Sequence, residues 1–203
     1  MADNSGIADR PMRHVTVFDF DGTLTLDDTF FSFGRHCLGL PRMLLGIAAT
    51  LPWIIGWKLG LTSNSKAKEK LFSALYRGRS RSCIEKAAQT FTPRFNRAVL
   101  DKLSQSLQRG DTVYIISASL DLWMERMAAR LGTRLCCTAT ATDSHGLVTG
   151  HFSSPNCHGQ EKVNRLLAVE PDRRSYHLTV YGDSSGDDAL LSIADTPCLV
   201  ARN

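Results

Sequence analysis

An apolar, β-branched run, VTVF (Val15 to Phe18), ends abruptly in Asp19 and Asp21, two carboxylates one residue apart, followed by Gly22 and Thr23. On a strand, residues i and i+2 share a face, and a strand seldom closes on two acids side by side. Like charges that close repel unless a positive group, most simply a divalent metal ion, sits between them. Gly22 then lets the backbone curl around a small ligand. The plainer alternative is an acidic turn that caps the next helix.

Further strand-like runs cover His14–Phe18, Thr112–Ser117, Arg134–Ala139 and His177–Tyr181, with a short one at Cys198–Ala201. Helical patterns at Leu120–Leu131, Gln160–Val169 and Asp187–Ala194 separate them. This alternation predicts an α/β fold, a Rossmann-like parallel sheet with crossover helices. Thr140 to Phe152 reads as a β-hairpin turning at Ser144-His145-Gly146. Residues 29–110 break the alternation and read as helices near 29–38, 42–59, 64–76, 80–91 and 94–109. The domain expectation is therefore a core of 13–28 plus 93–203, a helical insertion over 29–92 that folds as a cap, and a disordered tail at 1–12.

Three strand ends carry the polar chemistry: Asp19 and Asp21 on the first, Ser117 and Ser119 on the second, and Asp183, Asp187 and Asp188 (VYGDSSGDD) on the fourth. Ligands of open parallel sheets bind outside the carboxyl ends of the strands. Lys162, in GQEKVNRL, sits in the first turn of a further helix. Singly, Ser117 reads as a helix N-cap, Lys162 as a solvated surface lysine and GDSSGDD as a charge cluster at a helix start. In this order, each after a strand, they read together as one site.

DFDGT, a serine after an apolar strand, lysine in GxEK and then GDSxxxD resemble the four motifs of the haloacid dehalogenase superfamily of phosphohydrolases, in order and spacing, from Val15 to Leu191. The helical insertion between the first two motifs is similar to the phosphoserine-phosphatase-like branch, subfamily IB, with its helical cap. The resemblance implies that Asp19 is a nucleophile forming an aspartyl-phosphate, and that Asp21 protonates the leaving group and then deprotonates water. Asp21 would need a proton in the first step, and its acidic neighbours are expected to raise its pKa. Lys162, Ser117, Ala118 and Gly22 are expected to hold the phosphoryl oxygens. Mg²⁺ suits a set of hard oxygen ligands, here Asp19, Asp21 through its carbonyl, Asp183 and Asp187. The second acid argues for phosphate over attack on carbon; a phosphotransferase or mutase shares the paired acids.

Met43 to Trp57 (MLLGIAATLPWIIGW) is uncharged and apolar on nearly every side. A spanning helix needs about 20 residues, and Pro52 is expected to kink this one, which argues against crossing a membrane. It reads either as a helix buried under the cap or as one that touches lipid. For the second, Trp53 and Trp57 sit at i, i+4 as for an interfacial face, and Lys66, Lys68, Lys70, Arg77, Arg79 and Arg81 supply charge for anionic headgroups. The pattern is similar to the bacterial phosphatidylglycerophosphate phosphatases of this branch. Phosphoserine is the competing substrate. Its enzymes carry a glutamate after the first motif, where this chain has Asp28, and a cap arginine, for which Arg77 or Arg79 are candidates; Asn156 is a further candidate substrate contact.

The expected ligand is thus a phosphorylated small molecule or a lipid phosphate, with peripheral membrane contact through 43–57. A net charge of +4 without any RNA- or DNA-reading motif argues against a nucleic-acid partner. The polar first dozen residues lack an apolar core, and the six cysteines show no CxxC pair, so a reducing cytoplasm is expected, at or near the inner face of the membrane. A non-catalytic, membrane-associated binding protein on the same scaffold is the remaining alternative.

Overall fold

A computed structural model describes residues 12–201; most of the expected tail at 1–12 lies outside that range. Five parallel strands form the central sheet in the order β3-β2-β1-β6-β7: β1 (Arg13–Phe18), β2 (Thr112–Leu120), β3 (Arg134–Thr138), β6 (Tyr176–Gly182) and β7 (Thr196–Leu199). A two-stranded antiparallel hairpin, β4 (Thr140–Thr142) and β5 (Val148–Phe152), stands apart from it. β1 is the middle strand. The chain builds one half of the sheet from β1 towards β3 and the other from β6 to β7, so its order reverses beside β1, where such sheets open a crevice.

Period-2 alternation in β1 divides the core. Val15 and Val17 pack with Leu178, Val180, Tyr114 and Ile116 beneath α7 (Gln160–Val169) and α8 (Asp188–Ser192). Phe18 points the other way and joins Ile115, Val113 and the helices α5 (Arg97–Gln108) and α6 (Asp121–Leu131). Parallel sheets need both faces covered, and this one has that cover. α5 shows the pattern that buries it: Val99, Leu103 and Ser106 are inward, and Gly110 (φ 81°) turns the chain into β2.

Two expected boundaries move. β7 starts at Thr196 rather than Cys198 and takes in Pro197, which an edge strand tolerates because its outer face makes no ladder bonds. β2 runs on to Leu120 past Ser117. Its register against β3 jumps between Ser117 and Leu120, a bulge that re-aims residues 118–119.

The insertion contains α1 (Thr29–Leu38), α2 (Leu40–Lys58), α3 (Asn64–Tyr76) and α4 (Arg81–Thr90). The hairpin ties it to the sheet side of the molecule. Gly78 N–H donates to Val148 O (2.8 Å), Val148 N–H to Arg79 O (2.8 Å) and Arg81 N–H to Gly146 O (2.9 Å). Phe72 and Phe152 add a ring contact at 5.5 Å, and Phe152 N–H donates to Glu69 Oε1.

α2 corrects the reading of a helix buried under the cap. Only Met43, Gly46 and Thr50 are buried, and the helix continues unbroken through Pro52. Leu44 is 55% exposed, Leu45 71%, Leu51 47% and Ile55 52%. Trp53 and Trp57 are exposed as well (37% and 42%); Trp53 lies beneath the ammonium groups of Lys66 and Lys70 (5.4 and 5.2 Å from the ring), and Trp57 also lines a cavity.

Candidate active site

Asp19 is the first residue beyond β1, and its backbone N–H still pairs with Tyr181 O of β6 (2.9 Å). β6 therefore holds it directly, at the end of a strand that is paired on both sides. Asp19 is 8% exposed, and its carboxylate accepts from Lys162 Nζ at 2.6 Å. The same ammonium donates to Asp187 Oδ1 at 2.5 Å, so one buried cation bridges two carboxylates from different strand ends. Burial works against the charge on Lys162, but Asp19 and Asp187 outweigh it and hold the pKa above the ordinary lysine value. Burial pushes Asp19 up to about 7, against the pull of Lys162 and with the added push of Asp187.

Asp187 is 1% exposed, and donors of the chain surround it. Its second oxygen accepts from Asp183 N–H (3.2 Å), Ser184 N–H (3.2 Å) and Ser184 Oγ (3.1 Å). It thus organises the 183–184 loop and aims Lys162. Asp183 stands further forward, where Thr23 Oγ donates to it at 3.1 Å. Carboxylate oxygens of Asp19, Asp183 and Asp187 all fall within 4.8 Å of one another. Asp19 and Asp183 present hard oxygen donors that fit Mg²⁺, Asp187 beside them is already held by Lys162, the Asp183 N–H and Ser184, and no imidazole or thiolate competes within the cluster.

Gly22 is required where it stands. Its φ of 82° lies in the left-handed region, and a Cβ there would run into the Asp183 carboxylate. Asp21, one residue earlier, turns its carboxylate towards the insertion: Oδ1 accepts from Thr29 N–H, the first residue of α1, at 2.7 Å, and Oδ2 accepts from Ser119 Oγ. Ser117 is buried, and its Oγ accepts from Ser119 N–H (3.1 Å) inside the bulge of β2.

Asp19, Asp21, Gly22, Ser117, Ala118, Lys162, Asp183 and Asp28 all line one cavity of 690 Å³. Asp187 lies behind it. Asp28 also caps α1, accepting from Phe30 N–H at 2.9 Å; burial, and then the charge of Asp21, push it up to about 6. Asn156 is a correction: it is buried against Thr138 Oγ (3.2 Å) and does not line the cavity. Neither Arg77 nor Arg79 reaches the cavity; Arg79 Nε donates to Leu75 O at 3.2 Å.

By sequence Lys68 is one of a run of basic residues that either face headgroups or form a solvated basic helix, and the structure places it in neither role. It points into the cavity, and its Nζ donates to Ala118 O at 2.9 Å. Burial lowers its pKa, while Asp21 and Asp28 pull it back up. The sequence holds a signal for this: Lys68 interrupts the inward face of α3, between buried Ala67 and Leu71. Trp57, Asn64 and His158 line the same cavity and had no such signal. Burial, then Lys162 and Lys68, lower the pKa of His158.

The comparisons agree with this geometry. The chain is 32% identical to Protein CicA of Caulobacter vibrioides over 188 residues, which is 89% of this chain and 83% of that protein. The fold is similar to that of a Bordetella pertussis Tohama I protein described as of unknown function (TM-score 0.69, 17% identity, 89% of this chain and 86% of that one). It is also similar to a phosphoserine phosphatase solved as a phospho-aspartyl intermediate analogue (TM-score 0.61, 18% identity, 90% and 83%). The core and helical insertion therefore share the phosphoserine-phosphatase-like fold. A family model described as haloacid dehalogenase-like hydrolase matches residues 16–192, and the chain belongs to that family of hydrolases.

Proposed function

We propose that the protein is a Mg²⁺-dependent phosphomonoester hydrolase that works through an aspartyl-phosphate on Asp19. The observation that carries this reading is the placement of Asp19 at the end of the middle strand, with Lys162 Nζ 2.6 Å from one carboxylate oxygen. The lysine offsets the charge of the nucleophile and of the group being transferred. An Asp19 oxygen attacks phosphorus, the bond from phosphorus to the leaving oxygen breaks, and that oxygen takes its proton from Asp21. Water then attacks phosphorus and gives a proton to Asp21, the bond to Asp19 breaks, and phosphate leaves. Acid–base help of this kind is worth roughly 10²–10⁴-fold.

Asp19 and Asp183, with the Asp21 carbonyl, would hold the Mg²⁺, and Asp187 would keep Asp183 and Lys162 in place. The ion supplies charge stabilisation to the phosphoryl oxygens. Ser117 Oγ, and the backbone N–H groups that Gly22 and Ala118 bring to the cavity, would grip those oxygens. Asp21 is held at the first turn of α1, so the acid–base group and the insertion are positioned together.

The substrate class is a phosphorylated small molecule or a lipid phosphate. Phosphoserine is the weaker candidate: Asp28 lines the cavity for an amine, but among the described residues no arginine lines it for a carboxylate. The test is Mg²⁺-dependent phosphate release from an aryl phosphate with an alcohol acceptor present. Free phosphate as product supports a hydrolase, and phosphorylated acceptor in its place would point to a phosphotransferase. No release of any kind would leave a binding protein.

A further inference from the structure

We infer that α2 is a docking surface for an anionic lipid bilayer, and that the phosphomonoester reaching the cavity is carried by a membrane lipid. The second half rests on the hydrolase reading above; the first does not.

The outward face of α2 is Pro41, Leu44, Leu45, Ala48, Leu51, Pro52, Ile55 and Leu59, spaced three or four apart and all exposed. On a helix that spacing makes one continuous stripe, and this one contains no polar side chain. A water-facing helix has the opposite arrangement, polar outward and apolar inward. Leu61, just beyond the helix, is 80% exposed and Leu59 68%, which extends the stripe past its end. Apolar surface left out in this quantity calls for an apolar partner.

Leu40–Lys58 is long and apolar enough to cross a membrane, but its packed inner face fits a helix that lies on one. A Cβ on Gly46 would collide with Leu75 of α3, and one on Gly34 of α1 would stand 2.9 Å from the Met43 sulfur. The helix is thus packed against its neighbours along one side. A helix held in this way can bury only its outer half, as interfacial helices do.

Charge identifies the partner. From Thr29 through Lys68 the chain has no acidic residue, whereas Arg35, Arg42, Lys58, Lys66 and Lys68 are basic. Lys68 is taken up in the cavity. Arg42 and Lys58 are exposed on α2 itself, Arg35 shares a cavity with Leu44, and Lys66 and, past Glu69, Lys70 are held over Trp53. A second copy of the chain would bring the same basic rim against itself. An anionic bilayer supplies the apolar layer and the opposite charge at one boundary.

The cavity belongs to the same surface. Trp57 of α2 forms part of its wall, and Leu26, 43% exposed, forms another part. The phosphate of a lipid lying in the bilayer could therefore enter beside the helix without leaving the membrane surface.

The experiment is vesicle flotation of the full chain, with phosphatidylcholine alone and with phosphatidylglycerol added, for the natural chain and the double variant Leu45→Glu/Ile55→Glu. Neither position lines the cavity or is packed inside, so the fold and turnover of a soluble aryl phosphate are expected to be unchanged. The expected result is binding only when phosphatidylglycerol is present, weakened about tenfold or more by the variant. On such vesicles, hydrolysis of phosphatidic acid should exceed that of glycerol phosphate at matched concentration, and the variant should lose that preference. Absence of vesicle binding, or binding that the variant does not weaken, overturns the docking surface. So does a dimer in solution that the variant dissociates, since the stripe would then face a second copy. Equal turnover of glycerol phosphate overturns the lipid substrate. Vesicle binding with no aryl phosphate turnover supports the docking surface and contradicts the hydrolase reading alone.

Discussion

The ammonium of Lys68, on α3 of the insertion, donates to the carbonyl oxygen of Ala118, at the bulged end of β2, across 2.9 Å. One bond joins the helical layer to the sheet at the cavity where Asp19 sits. It also leaves a cation opposite Asp21 and Asp28, positioned to meet an anionic substrate.

Lys68→Ala should therefore act on substrate more than on stability. The bond it removes is one of many between the layers, and its net worth is about 0.5–1.5 kcal/mol. KM for a phosphomonoester is expected to rise about tenfold, with a small fall in the unfolding midpoint. Steady-state kinetics beside thermal unfolding would show the split, and an unchanged KM would remove Lys68 from the site.

Lys162→Met leaves Asp19 and Asp187 buried without their cation. Breaking a buried pair from one side costs about 3–5 kcal/mol. The loss should be largest near pH 8, where Asp19 is ionised, and smaller near pH 5, where it is protonated. Denaturant unfolding at the two pH values measures this, and an equal loss at both would argue against the coupling.

The raised pKa of Asp19, about 7, makes a signed prediction for the metal-free protein. The folded state holds this proton more tightly than the unfolded chain. The stability it contributes is full below the model carboxyl value of 3.8 and is lost as pH rises through about 7. Asp19→Asn removes that loss, so without Mg²⁺ the variant should be the more stable protein at pH 8. Mg²⁺ binding near pH 6 should release protons, which calorimetry in buffers of different ionisation enthalpy reads directly.

Gly22→Ala places a methyl group against Asp183 at a backbone φ of 82°. A cost of about 1–3 kcal/mol is expected from the strain alone. Mg²⁺ affinity should fall too, because Asp183 has to move. Natural affinity in this variant would argue that Asp183 is not a ligand.

Much of this site was legible in the sequence because it is built from strand ends. A strand places its last residue within a narrow region, and neighbouring parallel strands bring those ends together, as with Asp19, Ser117 and Asp183. Lys162 was legible for the same reason, standing in the first turn of a helix that follows a turn glycine, Gly159. The insertion was not legible to the same degree. Its helices were visible from their apolar spacing, but which way each one faces depends on how they pack together. That is why the inward turn of Lys68 and the outward face of α2 are not decided by the sequence; Asn156, in the loop between β5 and α7 of the core, escapes for a different reason, since a loop side chain has no periodicity to aim it. Composition alone does not separate a helix meant for a protein interior from one meant for lipid; the contacts of Gly46 and Met43 and the exposure of Leu45 do.

The central claim is that Asp19 carries the chemistry. The most direct measurement is phosphate release from an aryl phosphate with and without Mg²⁺, for the natural chain and for Asp19→Asn. Asparagine keeps the size of the side chain and its contact with Lys162 but removes the attacking carboxylate. The account predicts Mg²⁺-dependent turnover in the natural chain and a fall of at least roughly 10³-fold in a variant that remains folded. Undiminished turnover in Asp19→Asn would contradict it.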